Sequence, residues 1–297
     1  MIREAIKKVV NYQNLTEYEM AEVMKEIMEG RVTSAQIGSF LTGLSMKGET
    51  VTEVTSAARL VRQKATFVDA SSNKILDTCG TGGDGANTFN ISTITAFVAA
   101  GAGLTVAKHG NRSVSSQCGS ADLLEELGVN IQAEPEVVEQ CVQEIGIGFL
   151  FAPVLNEAMK HVAGIRKEIG VRTIFNMLGP LTNPAGATRQ LLGVYDAKLT
   201  EMFARVLKNL GTKRAFVVHG SDGLDEITLC GETRVTELSE GEIKTYNINP
   251  YDFFERTYSR EDFRGGNSKI NAEITLNAVS YTHLRAHETS LHLVCRL

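Results

Sequence analysis

From the N-terminus to about residue 65 the apolar positions fall three and four residues apart. After Thr16 come Met20, Val23, Met24, Ile27 and Met28, the stripe of a helix that buries one face. Ile37, Phe40, Leu41 and Leu44 repeat the device after Thr33. Three pairs, Thr16 with Glu19, Thr33 with Gln36 and Thr50 with Glu53, have the spacing of a capping box. In such a box, hydroxyl and carboxylate or amide each accept the other residue's backbone N–H. Gly30 and Gly48 supply helix stops. Residues 1–70 are therefore predicted to form a small helical domain. It carries few groups able to do chemistry, and packing or dimerisation is its expected role.

Beyond the polar stretch at 69–74 the rhythm changes. Short β-rich runs at 74–79, 104–110, 147–153, 190–196 and 214–220 alternate with helical stretches such as DLLEELG and LTEMFARVLKNLG. This alternation predicts an α/β domain over 71–279 with a mainly parallel central sheet. Residues 232–248 read as a hairpin turning at Ser239-Glu240-Gly241. Ligands of parallel sheets gather outside the carboxyl ends of the strands. The polar loops after 74–79, 104–110 and 214–220 are thus expected along one edge.

The first of these loops, GTGGDG at 80–85 followed by NIST at 90–93, places a flexible backbone before a helix N-terminus. That combination suits an anion, since unpaired N–H groups and the positive end of the helix dipole converge there. It matches neither the Walker loop nor the dinucleotide fingerprint. An unusual tight turn is the structural alternative. Lys108-His-Gly-Asn-Arg112, with Ser115, Ser116 and Ser120, adds two cations and several hydroxyls at another strand end. Lys offers a point charge and Arg a fork, both suited to phosphate; His109 is equally readable as a buried structural histidine. Asp225-Glu226 supplies hard oxygen ligands for Mg²⁺ or, more ordinarily, a solvated acidic loop. Arg166 and Arg172 lie in a helix leading into a strand or loop. Either is a candidate clamp for a substrate carboxylate, or a partner of Glu168 or a helix end. Pro180 and Pro184 make the following NMLGPLTNP segment a rigid connection.

Composition narrows the class. The 297 residues carry a formal net charge of -5, which argues against a nucleic-acid or anionic-membrane partner. Five dispersed cysteines, at 79, 118, 141, 230 and 295, indicate reduced thiols and no zinc site. The N-terminus has no apolar signal region, and no stretch is long and apolar enough to span a bilayer. A cytoplasmic protein is expected.

Together GTGGDG, NIST, KHGNRSVSS, GSADLLEELG, RTIFNMLGPLTNP and GLDE resemble the blocks of the anthranilate phosphoribosyltransferase family, long and in order. The resemblance implies a small helical domain joined to a large α/β domain of the nucleoside phosphorylase and phosphoribosyltransferase type, paired as a homodimer through the helices. It also implies the reaction, in which the amine of anthranilate displaces pyrophosphate from phosphoribosyl pyrophosphate (PRPP) in tryptophan biosynthesis. By resemblance, the PRPP site comprises Gly80, Gly83, Asp84, Thr88, Asn90, Ile91, Ser92 and Thr93. Lys108, His109, Gly110, Asn111, Arg112, Ser113, Val114, Ser115, Ser116 and Ser120 join them. Gly80, Asn111 and Arg166 meet anthranilate; Ser92, Asp225 and Glu226 hold Mg²⁺; Lys108, Asn111 and Arg166 are the catalytic assignments. The chemistry calls for charge neutralisation and positioning more than for a strong base, because an aromatic amine is already neutral near pH 7.

Two departures from the family stand out. Asn156-Glu157 replaces a common His-Pro pair near the anthranilate entrance, placing an added negative charge near an anionic substrate. Residues 280–297 leave the family pattern, and their three histidines, His283, His287 and His292, complete no metal site. The segment is expected to be a non-native tail, replacing further native sequence and contributing nothing to stability. The alternatives are a pyrimidine nucleoside phosphorylase of similar fold and a non-catalytic nucleic-acid-binding relative.

Overall fold

All three capping boxes form. In the computed structural model, which describes residues 1–113, 117–156 and 159–285, helix α1 (Ile2–Val10) precedes α2 (Glu17–Met28), α3 (Ser34–Lys47) and α4 (Val51–Lys64). Thr16, Thr33 and Thr50 cap the last three as expected. The stripe Met20, Val23, Met24 and Ile27 is fully buried, with α1 packed on α3 and α2 on α4. At the start of α4 the chain buries an ion pair. Lys47 Nζ lies 2.9 Å from Glu53 Oε2, while Glu53 also accepts the N–H of Leu15 at 2.8 Å and that of Thr50 at 2.8 Å. A buried charge is tolerable only when paired and hydrogen-bonded in this way.

The sheet follows as β1 (Ile75–Gly80), β2 (Thr105–Gly110), β3 (Ile147–Phe151), β4 (Arg189–Gly193), β5 (Arg214–Gly220), β6 (Thr233–Ser239) and β7 (Glu242–Ile248). Its spatial order is β3-β2-β1-β4-β5-β6-β7. Strands β1 to β5 are parallel, and β6 and β7 form the predicted antiparallel hairpin. Glu240 (φ 47°) and Gly241 (φ 87°) turn it, positive φ at both central residues matching the twist of the strands. From β1 the chain goes outward to β2 and β3, then returns to place β4 on the other side. The crevice between β1 and β4 is therefore the topological switch point, where α/β sheets bind ligands.

The connecting helices are α5 (Ile91–Gly101), α6 (Ser120–Glu126), α7 (Pro135–Glu144), α8 (Ala152–Leu155), α9 (Lys160–Ile169), α10 (Ile174–Leu181), α11 (Leu199–Asn209) and α12 (Ser268–Arg285). Helix α9 leaves the sheet to pack on α2 and α3, while α10 and α11 pack on α4. One apolar core consequently runs from Val23 and Phe40 through Phe175 to Phe203 and Val217. The helical part thus includes chain from well beyond residue 70.

One segment differs from its expectation. The stretch expected as a rigid connection is helix α10, with Pro180 inside it. Asn176 Oδ1 accepts the Thr173 N–H at 3.0 Å and nucleates the first turn. Pro180 falls in the last turn, where it removes one i→i−4 bond, to the Asn176 carbonyl, with almost no helix following it. Helix α12 is continuous across the expected 279/280 boundary and ends at Arg285. Extending an existing helix adds a hydrogen bond for each residue fixed, so no new nucleus is needed there. Residues 286–297, with His287 and His292, lie outside the described residues.

Candidate active site

Gly80 ends β1, and the glycine loop begins directly over the switch point. A Cβ on Gly80 would lie 2.6 Å from Asp225 Oδ2, and one on Gly193, at the end of β4, only 1.5 Å from the Asp225 carbonyl oxygen. The absence of side chains at both strand ends is what lets the turn bearing Asp225 cross them. The loop is then fixed from several sides. Gly82 N–H donates to Asp225 Oδ2 at 2.7 Å, and Thr81 N–H to the Gly193 carbonyl at 2.9 Å. Thr81 Oγ1 accepts from Tyr195 N–H at 3.0 Å. Arg172 donates to the Gly83 carbonyl and lies 3.8 Å over the Tyr195 ring. Downstream, Phe89 N–H donates to the Phe263 carbonyl at 3.0 Å and Gly265 N–H to the Asn87 carbonyl at 2.9 Å, pairing Thr88 with Arg264.

The loop delivers the chain to the N-terminus of α5, as expected for an anion cradle. Asn90 does not cap that helix with its side chain. Its Nδ2 donates to the Cys118 carbonyl at 3.1 Å and its Oδ1 accepts from Asn271 Nδ2 at 2.8 Å, tying α5 to α12. Ile91 opens the helix and Thr93 is buried in its first turn. Lys108 reaches the same turn from β2, donating to Ser92 Oγ at 3.2 Å and to the Thr78 carbonyl. Burial lowers the Lys108 pKa, opposed by Asp77, Cys79 and Glu226. This ammonium supports the positive end of α5 from beneath.

Glu226 comes to the same place from beyond β5. Burial, and then Asp225, push its carboxyl well above the usual range, against the pull of Lys108 and the Ser92 N–H. Burial and then Asp84 raise Asp225 to about 7. Three carboxylates thus stand near one another with one lysine among them. Among the described residues no set of three His, Cys, Asp or Glu is arranged around one metal position. The crowding of hard oxygen donors nevertheless fits a divalent cation such as Mg²⁺, which keeps waters and shares substrate phosphates in place of a full protein cage.

The basic block divides between two faces. Successive residues on a strand point oppositely, so Lys108 faces α5 whereas His109 faces α10. There His109 Nδ1 lies 3.0 Å from the Gly179 carbonyl, which can only accept, so Nδ1 carries the proton. Burial lowers the His109 pKa, which favours the neutral ring. Gly110 admits Ser120 Oγ and the Phe149 ring, each within 3 Å of where a Cβ would stand. The Asn111 carbonyl accepts from Ser120 Oγ at 3.2 Å, and Asn111 Oδ1 from Arg112 N–H at 2.7 Å. Arg112 is forked onto Asp122 at 3.0 Å and Glu125 at 2.8 Å, which raises its pKa further. Asp122 also accepts the N–H groups of Ser113 at 3.0 Å and Gly119 at 2.9 Å. Val114, Ser115 and Ser116 lie outside the described residues.

Arg166, in the last turn of α9, stands 5.7 Å from the Phe175 ring centre. Among the described residues no carboxylate pairs with it, and desolvation lowers its pKa. A partly buried guanidinium without an acid is suited to an incoming carboxylate. Asn156 is buried with Oδ1 lacking a described partner; Glu157 lies outside the described residues. Tyr195, Gly193, the 263–265 latch and Asn271 carry no motif, and the sequence reading does not find them. The small residues flanking the β4 run are the only local signal.

The same two-part architecture is found in known proteins. Residues 3–65 match the model of the glycosyl transferase family helical bundle domain, and residues 72–295 that of the glycosyl transferase family a/b domain. The fold and its switch-point site define a glycosyl transferase of this type. An anthranilate phosphoribosyltransferase of Syntrophobacter fumaroxidans is 59% identical over 275 residues, covering 93% of this chain and 82% of the relative. That of Alkaliphilus metalliredigens is 58% identical over 279 residues, covering 94% and 82%. The crystal structure of the Thermus thermophilus anthranilate phosphoribosyltransferase superposes with a TM-score of 0.86 at 45% identity, covering 91% of this chain and 80% of that one. The Saccharomyces cerevisiae enzyme in complex with PRPP and Mg gives 0.84 at 30% identity, covering 92% and 79%. The chain belongs to the anthranilate phosphoribosyltransferase family. The relatives favour neither phosphorolysis of nucleosides nor nucleic-acid binding.

Proposed function

We infer that this chain transfers the phosphoribosyl group of PRPP to the amine of anthranilate, releasing pyrophosphate and N-(5-phosphoribosyl)anthranilate for tryptophan biosynthesis. One observation carries the reading. The glycine loop, the N-terminus of α5 and the Asp225-Glu226 turn meet at the crevice between β1 and β4. In the reaction the amine nitrogen bonds to the anomeric carbon, the bond from that carbon to the pyrophosphate oxygen breaks, and the amine releases a proton. The loop and the first turn of α5 offer N–H donors to the phosphates, and Lys108 raises the local positive potential behind them. Ser92, Asp225 and Glu226 would hold Mg²⁺, and the bound ion would supply charge neutralisation for the pyrophosphate leaving group. Arg166 orients the anthranilate carboxylate, and Asn111 and Gly80 line the approach of the amine. Arg112 trades its carboxylates for a phosphate when PRPP binds.

The protein works as a homodimer in the cytoplasm. Exposed Val10, Tyr12 and Met46 on the helical part support the dimer, and no helix among the described residues is long and apolar enough to cross a membrane. Product fluorescence from anthranilate and PRPP, with Mg²⁺ or with chelator, tests the activity. Turnover that requires the metal is expected. Failure to turn over with Mg²⁺ present, together with phosphorolysis of thymidine, would overturn the assignment.

A further inference from the structure

Arg172 contacts neither substrate in the proposed reaction, yet it touches the phosphate-binding turn directly. Its guanidinium donates through Nη2 to the Gly83 carbonyl and lies over the Tyr195 ring, 3.8 Å from its centre. Its own carbonyl accepts from Ser45 Oγ at 3.0 Å, on the last turn of α3. Tyr195 is in turn anchored through its N–H to Thr81 Oγ1 at 3.0 Å, within the same loop. A closed ring of contacts therefore joins the link between α9 and α10, the chain just past β4 and the glycine loop, and Ser45 ties that ring to the helical part.

We propose that Arg172 is the positioning residue of the phosphate-binding turn, holding the Gly83 carbonyl outward so that the Asp84 N–H is presented to the PRPP site. The inference rests on the PRPP site proposed above. The geometry of the peptide unit supplies the reason. In a planar trans peptide the C=O and the following N–H point in opposite directions. A cation fixed on the Gly83 carbonyl therefore fixes the direction of the Asp84 N–H, away from Arg172. Without that restraint the Gly83 peptide lacks the kind of anchor that Gly193 gives Thr81 and Asp225 gives Gly82. Gly82, Gly83 and Gly85 all have positive φ, between 66° and 77°, and glycine populates both signs of φ freely. The loop is also held by Asp225, through Gly82 N–H, so the two contacts fix the peptide units that flank the Gly82–Gly83 peptide.

The chemistry of the contact asks for arginine in particular. The planar guanidinium stacks on a ring and donates at its edge at the same time, which a lysine ammonium cannot do. A Cβ at Gly83 would stand 2.8 Å from Nη2, so this close approach needs glycine on the other partner. The Ser45 bond makes the device responsive to the helical part, since a shift of α3 pulls on the residue that sets the turn.

Hydrogen exchange on the ligand-free full chain tests the Arg172 contact without reference to activity. Arg172→Ala is expected to speed exchange of the amides of residues 81–86 at least about fivefold, and Arg172→Lys to restore less than half of that protection. Titration calorimetry with PRPP and Mg²⁺ gives the second reading, an expected weakening of about tenfold in Arg172→Ala. Tyr195→Leu should add little to Arg172→Ala, because both remove one device. Unchanged exchange at 81–86 in Arg172→Ala overturns the proposal, as does faster exchange with unaltered PRPP affinity. If the wild-type chain binds no PRPP, the site reading fails, and the exchange data still decide whether Arg172 holds the turn.

Discussion

Asp225 does three jobs with one side chain and one carbonyl. It crosses the ends of β1 and β4, accepts from Gly82, and stands beside Glu226 in the acidic pair. The double change Asp225→Asn with Glu226→Gln removes two carboxylates at nearly constant shape. The wild type is expected to gain several degrees in melting temperature with PRPP and Mg²⁺ together, by mass action on the folded state. The double variant should lose that gain while keeping the melting temperature of the ligand-free protein, because two desolvated and mutually repelling acids disappear. A retained gain would remove the pair from the metal site. Arg166 belongs to the other substrate. Arg166→Ala should raise the KM for anthranilate roughly ten- to hundredfold, since a hydrogen bond to a charged group is worth about 1.5–3 kcal/mol. Steady-state kinetics with each substrate varied checks this, and a change confined to the KM for PRPP would contradict the placement.

Among the elements, α4 shows how a local capping motif becomes a tertiary joint. The box formed by Thr50 and Glu53 is visible from spacing alone. The fold then buries Glu53 completely and gives it Lys47 and the N–H of Leu15 as further partners. Glu53→Ala therefore does more than remove a cap, because it strands Lys47, only 3% exposed, without its counter-charge. A loss of about 3–5 kcal/mol in urea unfolding is expected. The corresponding cap change on α3, Thr33→Ala, removes an exposed hydroxyl and should cost about 1 kcal/mol. Equal effects at the two sites would show that the buried pair adds nothing. Helix α10 makes the complementary point. Its apolar, proline-containing stretch reads locally as a connection, and its packing against α3, α4 and β2 decides that it is a helix.

For the molecule as a whole, exposed apolar residues gather where α1 lies against α3. A Cβ on Gly43 would touch the Val9 and Val10 side chains, so Val10 lies against α3 one turn before Met46. Both are more than half exposed. We expect light scattering to give the mass of a dimer, and Val10→Asp with Met46→Asp to give that of a monomer of unchanged helix content. A monomeric wild type would contradict the homodimer. The single core that runs from the helical part into the sheet also means that events at this face reach α9, α10 and Arg172.

What was legible in the chain was local. Capping boxes, helical stripes, strand–helix alternation and the hairpin turn depend on neighbours a few residues apart, so spacing was enough to read them. The glycine loop leading into a helix N-terminus was legible because its glycines and that helix start are adjacent. The pairings that complete the site were not, because they join distant residues. Asp225 meets Gly82 across 143 residues and Arg172 meets Gly83 across 89. Nor does the motif KHGNR say that Lys108 and His109 face opposite sides of the sheet toward different helices, or that Arg112 rests on Asp122 and Glu125. Those outcomes follow from strand pleat and sheet order, in which β4 returns beside β1 and brings Gly193 and Tyr195 to the loop. No local pattern encodes that return; the burial of both faces of a parallel sheet by helices selects it.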